Sequence, residues 1–362
     1  MGDVVVNIIL CWQGAIGLSK WEGVTSPAYD VYKATSSQVN VDYFNYLFRL
    51  PQFSNECYKI GRGIMAMRWR TYSDEFKAIT VPLPTKEEQD QIVRYLDWKV
   101  SQTNKLINAK RQQIALLREK RQKVINETFL SDGEGWIEKP LKYWVKSNLR
   151  SIGAGFSGDS MIEYLDIGAV GRGFLKSSPS RFLYSAAPSR ARRLVEEGDT
   201  IISTVRTYLR STCYVDESIA HCVVSTGFSV LTPDRSTILP ELLGFAVTTD
   251  SFIDEVICNS IGASYPAIND SLLMTIKVQF PASLKEQGIL FNLLRGKLVE
   301  IDAFVARLEC EITLINEYRT RLISDVVTGK KDVRDEFIPQ YETIDVNIEN
   351  IAESGFDEGV VG

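Results

Sequence analysis

Few residues in this 362-residue chain could carry out chemistry, and their spacing argues against most catalytic arrangements. His221 is the only histidine, so a Ser/His/Asp relay or a His-ligated metal centre lacks donors, and the residue reads as ordinary strand or loop. Gly153-Ala154-Gly155-Phe156-Ser157-Gly158 satisfies GxGxxG. It lacks the preceding strand and following amphipathic helix that would aim backbone amides at a pyrophosphate, and it reads as a loop. There is no GxxxxGK[ST] run, and no Asn/Asp-Pro-Pro-aromatic tetrapeptide of the kind that holds a base amino group for methylation. Glu75-Phe76-Lys77 matches the end of a metal-dependent nuclease signature, but no upstream carboxylate completes it. No catalytic or metal-ligating residue is therefore assigned.

A binding surface fits better. Residues 134 to 230 hold 12 Lys or Arg against 10 acidic residues, with Tyr164, Phe174, Phe182, Tyr184 and Tyr208 interspersed. Within Thr204-Val205-Arg206-Thr207-Tyr208-Leu209-Arg210, two arginines four apart flank a tyrosine at an expected strand end. That spacing can combine phosphate contact with bidentate guanine readout, and solvated surface arginines are the competing reading. Arg190, Arg192 and Arg193 read as solvated. Ser264-Tyr265-Pro266-Ala267-Ile268-Asn269 is turn-like; its Tyr265 and Asn269 either face bases or close the domain core. Lys176, Arg62 and Arg68 complete the candidate DNA-binding set.

Charge does not oppose that reading once its distribution is considered. The net −5 includes nine acidic residues and a single arginine between Asp332 and Gly362, which leaves about +3 on residues 1 to 331. The acidic stretch has the composition of a disordered tail. No apolar run approaches the ~20 residues that span a bilayer, and no export signal opens the chain. Cysteines 11, 57, 213, 222, 258 and 310 form no CxxC pair, which suits free, mostly buried thiols in a reducing, cytoplasmic setting.

The elements that must position these residues repeat. Gly2-Asp3-Val4-Val5-Val6 matches Gly198-Asp199-Thr200-Ile201-Ile202, an offset of 196. Val41 to Phe53 matches Pro240 to Phe252 at 199, and Ile60-Gly61 matches Ile261-Gly262 at 201. From Glu88-Gln89 against Glu286-Gln287 onward the offset holds at 198. Each copy is a mixed α/β segment followed by a long helix. Ile201 to Val205 and Val223 to Thr226 predict strands, and Ile276, Val278 and Phe280 alternate with Lys277 and Gln279 at period two. Pro240 predicts the start of a helix through Phe245, with Phe252, Ile253, Val256 and Ile257 supplying a later apolar face. Residues from about 135 to 197 have no counterpart ahead of Gly2, so the first copy reads as incomplete.

Residues 85 to 132 contain neither Pro nor Gly, which permits one helix roughly 65–70 Å long at 1.5 Å per residue. In the second copy Phe291, Leu294, Leu298, Ile301, Val305, Leu308, Ile312, Ile315, Arg319, Leu322 and Val326 follow alternating steps of three and four. The first copy repeats the register more weakly through Val93, Leu96, Val100, Thr103, Ile107, Lys110, Ile114, Leu117, Arg121, Val124 and Thr128. An apolar period of 3.5 residues sustained this long is a coiled-coil seam, and the chain path favours an antiparallel pair. Two surface helices packed separately on their own domains are the plainer alternative. Arg121 and Arg319 read as snorkelled or ion-paired seam residues.

Two globular segments each followed by a long helix, with Pro-Leu-Pro-Thr-Lys-Glu-Glu-Gln at 82 to 89 leading into the first helix and Val326-Val327-Thr328-Gly329 closing the second, closely resemble the specificity subunit of type I restriction-modification systems. The paired Gly-Asp motifs and Tyr265-Pro266-Ala267-Ile268-Asn269 strengthen the resemblance, which covers residues 2 to 331. It implies an α+β fold: a partial first target-recognition domain at 1–80, a spacer helix at 81–132, a second domain at 133–280, a second spacer helix at 281–330 and the tail at 331–362. It further implies a non-catalytic, cytoplasmic DNA-binding subunit that reads a bipartite target across a coiled-coil ruler. Its implied partners are double-stranded DNA, modification (methyltransferase) subunits, restriction subunits and, for a chain short of its first reader, a second copy of itself. S-adenosylmethionine, ATP and Mg belong in that scheme to partner subunits, with no cofactor on this chain. A coiled-coil scaffold without DNA readout, or a nonfunctional remnant, is the competing reading.

Overall fold

A computed structural model describes residues 2–63, 69–130, 135–153 and 155–341. The chain divides into two compact units, one of residues 1–113 with 307–362, the other of residues 114–306. Both contain segments of the two long helices.

The first unit opens with β1 (Val4–Asn7), β2 (Ile16–Leu18) and β3 (Tyr29–Tyr32), which form an antiparallel sheet in the order β2-β1-β3. Three short helices follow, α1 (Val41–Leu47), α2 (Pro51–Ile60) and α3 (Ser73–Lys77). Asn40 caps α1 by accepting a hydrogen bond from the Asp42 amide, and Pro51 opens α2 where no amide is needed. The core gathers Val4, Val6, Tyr43, Leu47, Phe53 and Phe76 against Val93, Leu96, Leu322 and Val326 of the long helices. Val333 joins this core, and Gln91 donates to the carbonyls of Val333 and Glu336. The first part of the expected disordered tail is thus packed, because Val333 and Ile338 supply apolar anchors within its acidic sequence. Residues 342–362 lie outside the described residues.

The long helices are α4 (Lys86–Phe129) and α8 (Leu284–Val327), each of 44 residues. The second unit adds β4 (Trp136–Pro140), β5 (Val145–Ser147), β6 (Met161–Leu165), β7 (Ser180–Leu183), β8 (Ala191–Leu194), β9 (Thr200–Ser203), β10 (Thr212–Tyr214), β11 (Val223–Ser225) and β12 (Phe228–Pro233). Helices α5 (Pro240–Ala246), α6 (Asp250–Cys258) and α7 (Asp270–Leu273) precede β13 (Lys277–Pro281). One sheet runs β10-β9-β12-β5, all antiparallel. Another runs β7-β6-β11-β8, in which only β6 and β11 are parallel. A third pairs β13 with β4.

The duplication is visible in backbone register. Val4 lies opposite Tyr32 between β1 and β3 as Thr200 lies opposite Leu231 between β9 and β12. Gln89 and Gln287, the second residues of the duplicated Glu-Gln, do the same work. Each is fully buried. Gln89 donates to the Gln38 and Pro84 carbonyls and accepts from the Asn40 amide, at 2.8 to 3.0 Å. Gln287 donates to the Thr237 and Pro281 carbonyls and accepts from the Leu239 amide over the same range of distances. One amide thereby ties three chain segments together at the foot of each long helix. Register also corrects one sequence match. The isolated bridges Arg62–Arg70 and Ile261–Ala267 make Arg62 the counterpart of Ile261, an offset of 199 rather than 201.

Within each unit the long helices run antiparallel against each other. In the first, Lys110 pairs with Glu311 and Arg319 donates to Asn104 at 2.7 Å. In the second, Arg121 pairs with Asp302 at 2.7 Å, while Ile125 and Phe129 share a core with Leu294 and Leu298. Every expected seam residue is buried or half-buried: Val93, Leu96, Ile107, Ile114, Leu117, Leu298, Ile301, Val305, Leu308, Ile312, Ile315 and Leu322. Leu106, Leu116, Phe304 and Leu314, off the seam, are exposed. Arg121 is ion-paired across to α8, one of the two readings expected of it, whereas Arg319 is hydrogen-bonded to the neutral Asn104 of α4.

Candidate nucleic-acid interface

The two candidate loops of the second unit are joined. Val205 bridges Ala267, the Arg206 amide donates to the Pro266 carbonyl at 2.8 Å, and the Ile268 amide donates to the Thr204 carbonyl at 2.9 Å. Thr207 and Ser260 hydroxyls meet at 2.8 Å. Between the strands β9 and β10 the chain does not end in a simple strand turn. Thr207–Leu209 form one turn of 3-10 helix bracketed by Arg206 and Arg210, both left-handed at φ 51° and 56°. A left-handed non-glycine residue costs about 1–3 kcal/mol, so the bracketing pair is held there by its surroundings.

Those surroundings treat the two arginines differently. Arg210 is drawn inward, to Asp250 at 2.8 Å and Asp254 at 3.0 Å at the start of α6. Arg172 shares Asp250 at 2.7 Å and also donates to the Thr248 carbonyl. Burial pushes the Asp250 carboxyl up, but hydrogen bonding and charge from Arg172, with Asn126 and Arg210, outweigh it and hold the group below the usual range. Arg206 points out instead. Its guanidinium lies 4.8 Å from the centre of the Tyr265 ring, and Tyr265 and Tyr208 are 66 % and 51 % exposed. The surface presented outward is one cation and two aromatic rings on a hydrogen-bonded double loop.

The remaining candidates separate from that surface. Asn269 turns to its own helix: its side-chain oxygen accepts from the Leu272 amide at 2.8 Å and caps α7, so the expectation that it faces a base gives way to a framing role. Arg210 is likewise a frame residue, tied to two carboxylates rather than free for readout. Lys176 is exposed on a different segment, its amide bonded to the Ala169 carbonyl. Arg193, expected to be solvated, donates to Asn148 and to the Phe228 carbonyl and is only 18 % exposed, while Arg192 bonds the exposed Tyr184 hydroxyl.

The first unit carries an equivalent surface that sequence reasoning only grazed. The 3-10 turn Cys11–Gln13 stands where Thr207–Leu209 stands in the second unit, and the Thr71 amide donates to the Ile8 carbonyl as Ile268 does to Thr204. Arg62 lies on the matching loop, largely exposed, with its guanidinium 3.0 Å from Glu75. Arg68 lies outside the described residues. Trp12, Tyr58 and Trp69 pack in a row beside this loop, with successive ring centres 5.6 and 5.1 Å apart, and Arg70 is exposed next to them. The offset of 196 maps Trp12 onto Tyr208, so the repeat itself held the signal for this aromatic patch.

Among the described residues one cluster has metal-ligand spacing, Glu163, His221 and Cys222. Glu163 is already bonded by His221 and Arg181, both at 2.7 Å, and burial pushes the Cys222 thiol up to about 11. A protonated thiol beside an ion-paired carboxylate is a poor cation site. Four of the six cysteines are buried, Cys11 and Cys57 with sulfurs 3.1 Å apart, whereas Cys258 and Cys310 are exposed. No helix of the described residues is long and apolar enough to cross a membrane.

Comparison with known proteins finds similarity to one group of sequences and folds. Residues 3–116 match the family model described as type I restriction modification DNA specificity domain. Over 107 residues the chain is 28 % identical to the type I restriction enzyme HindI specificity subunit of Haemophilus influenzae; the match covers 28 % of this chain and spans 23 % of that relative's length. A chain from a structural study of assembly and conformational transition of the type I R-M system superposes with a TM-score of 0.57 at 16 % identity, over 91 % of this chain and 82 % of that one. The type I restriction-modification S subunit from M. genitalium aligns over 90 % of this chain and 82 % of its own, at 15 % identity and a TM-score of 0.41. Residues 3–116 are thus similar to the DNA specificity domain of type I restriction-modification systems, and over that stretch the chain resembles a specificity subunit of those systems.

Proposed function

We propose that this chain is the DNA sequence-recognition subunit of a type I restriction-modification complex and performs no catalysis itself. The observation that carries the proposal is the hydrogen-bonded double loop displaying Arg206, Tyr208 and Tyr265, with a matching aromatic and basic loop in the first unit. Arginine fits guanine edges and phosphates, and the tyrosines supply apolar and hydroxyl contacts in a groove. Arg210 and Asn269 hold that surface in place.

In this proposal two readers contact the halves of a bipartite site in double-stranded DNA. The antiparallel helices act as a coiled-coil ruler whose knobs-into-holes seam sets the spacing. Modification subunits dock on the helices and bring S-adenosylmethionine; restriction subunits bring ATP and Mg. The complex works in the cytoplasm, and a second copy of the chain can supply a further reader. A scaffold that joins proteins without reading DNA is the second reading, favoured by exposed Ile289, Leu293, Val299 and Phe304 on α8.

Co-expression with a modification subunit followed by genome-wide mapping of adenine methylation tests the proposal. A bipartite motif supports two readers and a single half-motif supports one. Absence of methylation, together with no fall in DNA affinity as salt rises, overturns DNA recognition in favour of the scaffold.

A further inference from the structure

Each unit has its own sheet of equivalent register, and the two sheets differ at one edge. In the second unit β5 pairs with the outer edge of β12, placing Val145, Lys146 and Ser147 opposite Pro233, Thr232 and Leu231. Trp144 and Leu141, just before β5, fill the space beside it; Trp144 packs on Phe280 with ring centres 5.2 Å apart. In the first unit the corresponding residues, by sheet register, are Tyr32, Lys33 and Ala34, and β3 has no strand on that edge among the described residues. A groove of about 280 Å³ lies there instead, walled by Phe44, Phe48, Phe53 and Phe76. Lys33 and Lys77 stand at its rim, and neither has a carboxylate within ion-pair distance among the described residues.

The chain contains a segment with the matching pattern. Ile344, Val346 and Ile348 alternate with Asp345, Asn347 and Glu349, a period of two that puts an apolar row on one face and acids on the other. This segment lies among the residues that follow Tyr341, the last one described. Tyr341 is an electrostatic neighbour of Tyr46 and Asp97, which are hydrogen-bonded to each other at 2.7 Å. Tyr46 sits on α1 between Phe44 and Phe48, two of the groove's walls. Three extended residues reach about 10 Å, comparable with the width of a helix, so Ile344 is within reach of the groove.

The geometry points to this acidic tail as the groove's occupant: residues 344 to 349 add to the open edge of β3 within the same chain, with Ile344, Val346 and Ile348 against the phenylalanines and Asp345 and Glu349 toward Lys33 and Lys77. This is strand addition, in which backbone bonds give affinity and alternate side chains give register. It removes an exposed sheet edge, and it assigns the tail a structural task independent of DNA recognition.

Amide hydrogen exchange of the full chain tests the assignment. Exchange at Lys33 to Thr35 is expected to be at least about tenfold faster in Val346→Asp, and in a chain ending at Tyr341, than in the parent. Lys33→Glu is expected to give the same acceleration and Asp345→Lys in that background to reverse it, a result general unfolding would not produce. Carbodiimide is expected to join Lys33 or Lys77 to Asp345 or Glu349 within a monomer. Unchanged exchange in Val346→Asp overturns the proposal; so does a cross-link found only between chains, which would make the occupant the tail of a second copy.

Discussion

At the residue scale, the two left-handed arginines divide one motif into a reader and an anchor. Arg206 keeps a positive φ while its guanidinium lies exposed over Tyr265, so its side chain does nothing for the core that would justify the backbone strain. Glycine at that position would relieve the strain, and Arg206→Gly is expected to stabilise the chain by about 1 kcal/mol in urea unfolding while lowering DNA affinity and relaxing sequence preference. Arg210→Ala is expected to do the reverse in stability, lowering the melting temperature by leaving Asp254 without its arginine and Asp250 with Arg172 alone of its two. The buried glutamines give a second residue-scale expectation. Gln287→Leu leaves two carbonyls and one amide without partners, at about 1–3 kcal/mol for each group that water cannot reach, measured as a lowered denaturation midpoint. The spacing of Arg206, Tyr208 and Arg210 was legible in the sequence, but the division of labour was not. It depends on Asp250 and Asp254, which reach the loop only through the fold.

At the element scale, the long helices were the most legible feature because a 3.5-residue apolar period depends on local helix geometry alone. Leu298 and Leu308 are 2 % and 3 % exposed, so Leu298→Ala or Leu308→Ala is expected to cost about 2–5 kcal/mol in calorimetry or urea unfolding. Leu314 lies off the seam on an exposed face that it shares with Tyr318 one turn further on, and Leu314→Ala is expected to stay within about 0.5 kcal/mol. Strands β9, β11 and β13 and helix α5 were also readable from local pattern, within a residue or two of their ends. Strand β4 was not, because its pairing with β13 joins segments some 140 residues apart and no local period records it. The packing of Val333 was hidden for a related reason: acidic composition argued for disorder, and the two apolar anchors Val333 and Ile338 decided otherwise.

At the scale of the whole molecule, the proposed ruler makes a prediction that neither unit makes alone. If the helices set the distance between two readers, their length and the DNA spacer must change together. Adding one heptad to each helix at facing positions, beside Lys110 in α4 and Glu311 in α8, keeps the apolar register and each unit's own contacts. Seven residues at 1.5 Å each add about 10 Å, and at 3.4 Å per base pair that lengthens the recognised spacer by about 3 base pairs. Methylation mapping of the lengthened chain with its modification subunit is expected to return the same half-sites at the longer spacing. Adding four residues to one helix alone breaks the register and is expected to abolish methylation while leaving salt-dependent binding to DNA. An unchanged spacer in the chain with paired insertions would mean that the helices hold the readers without measuring the distance between them.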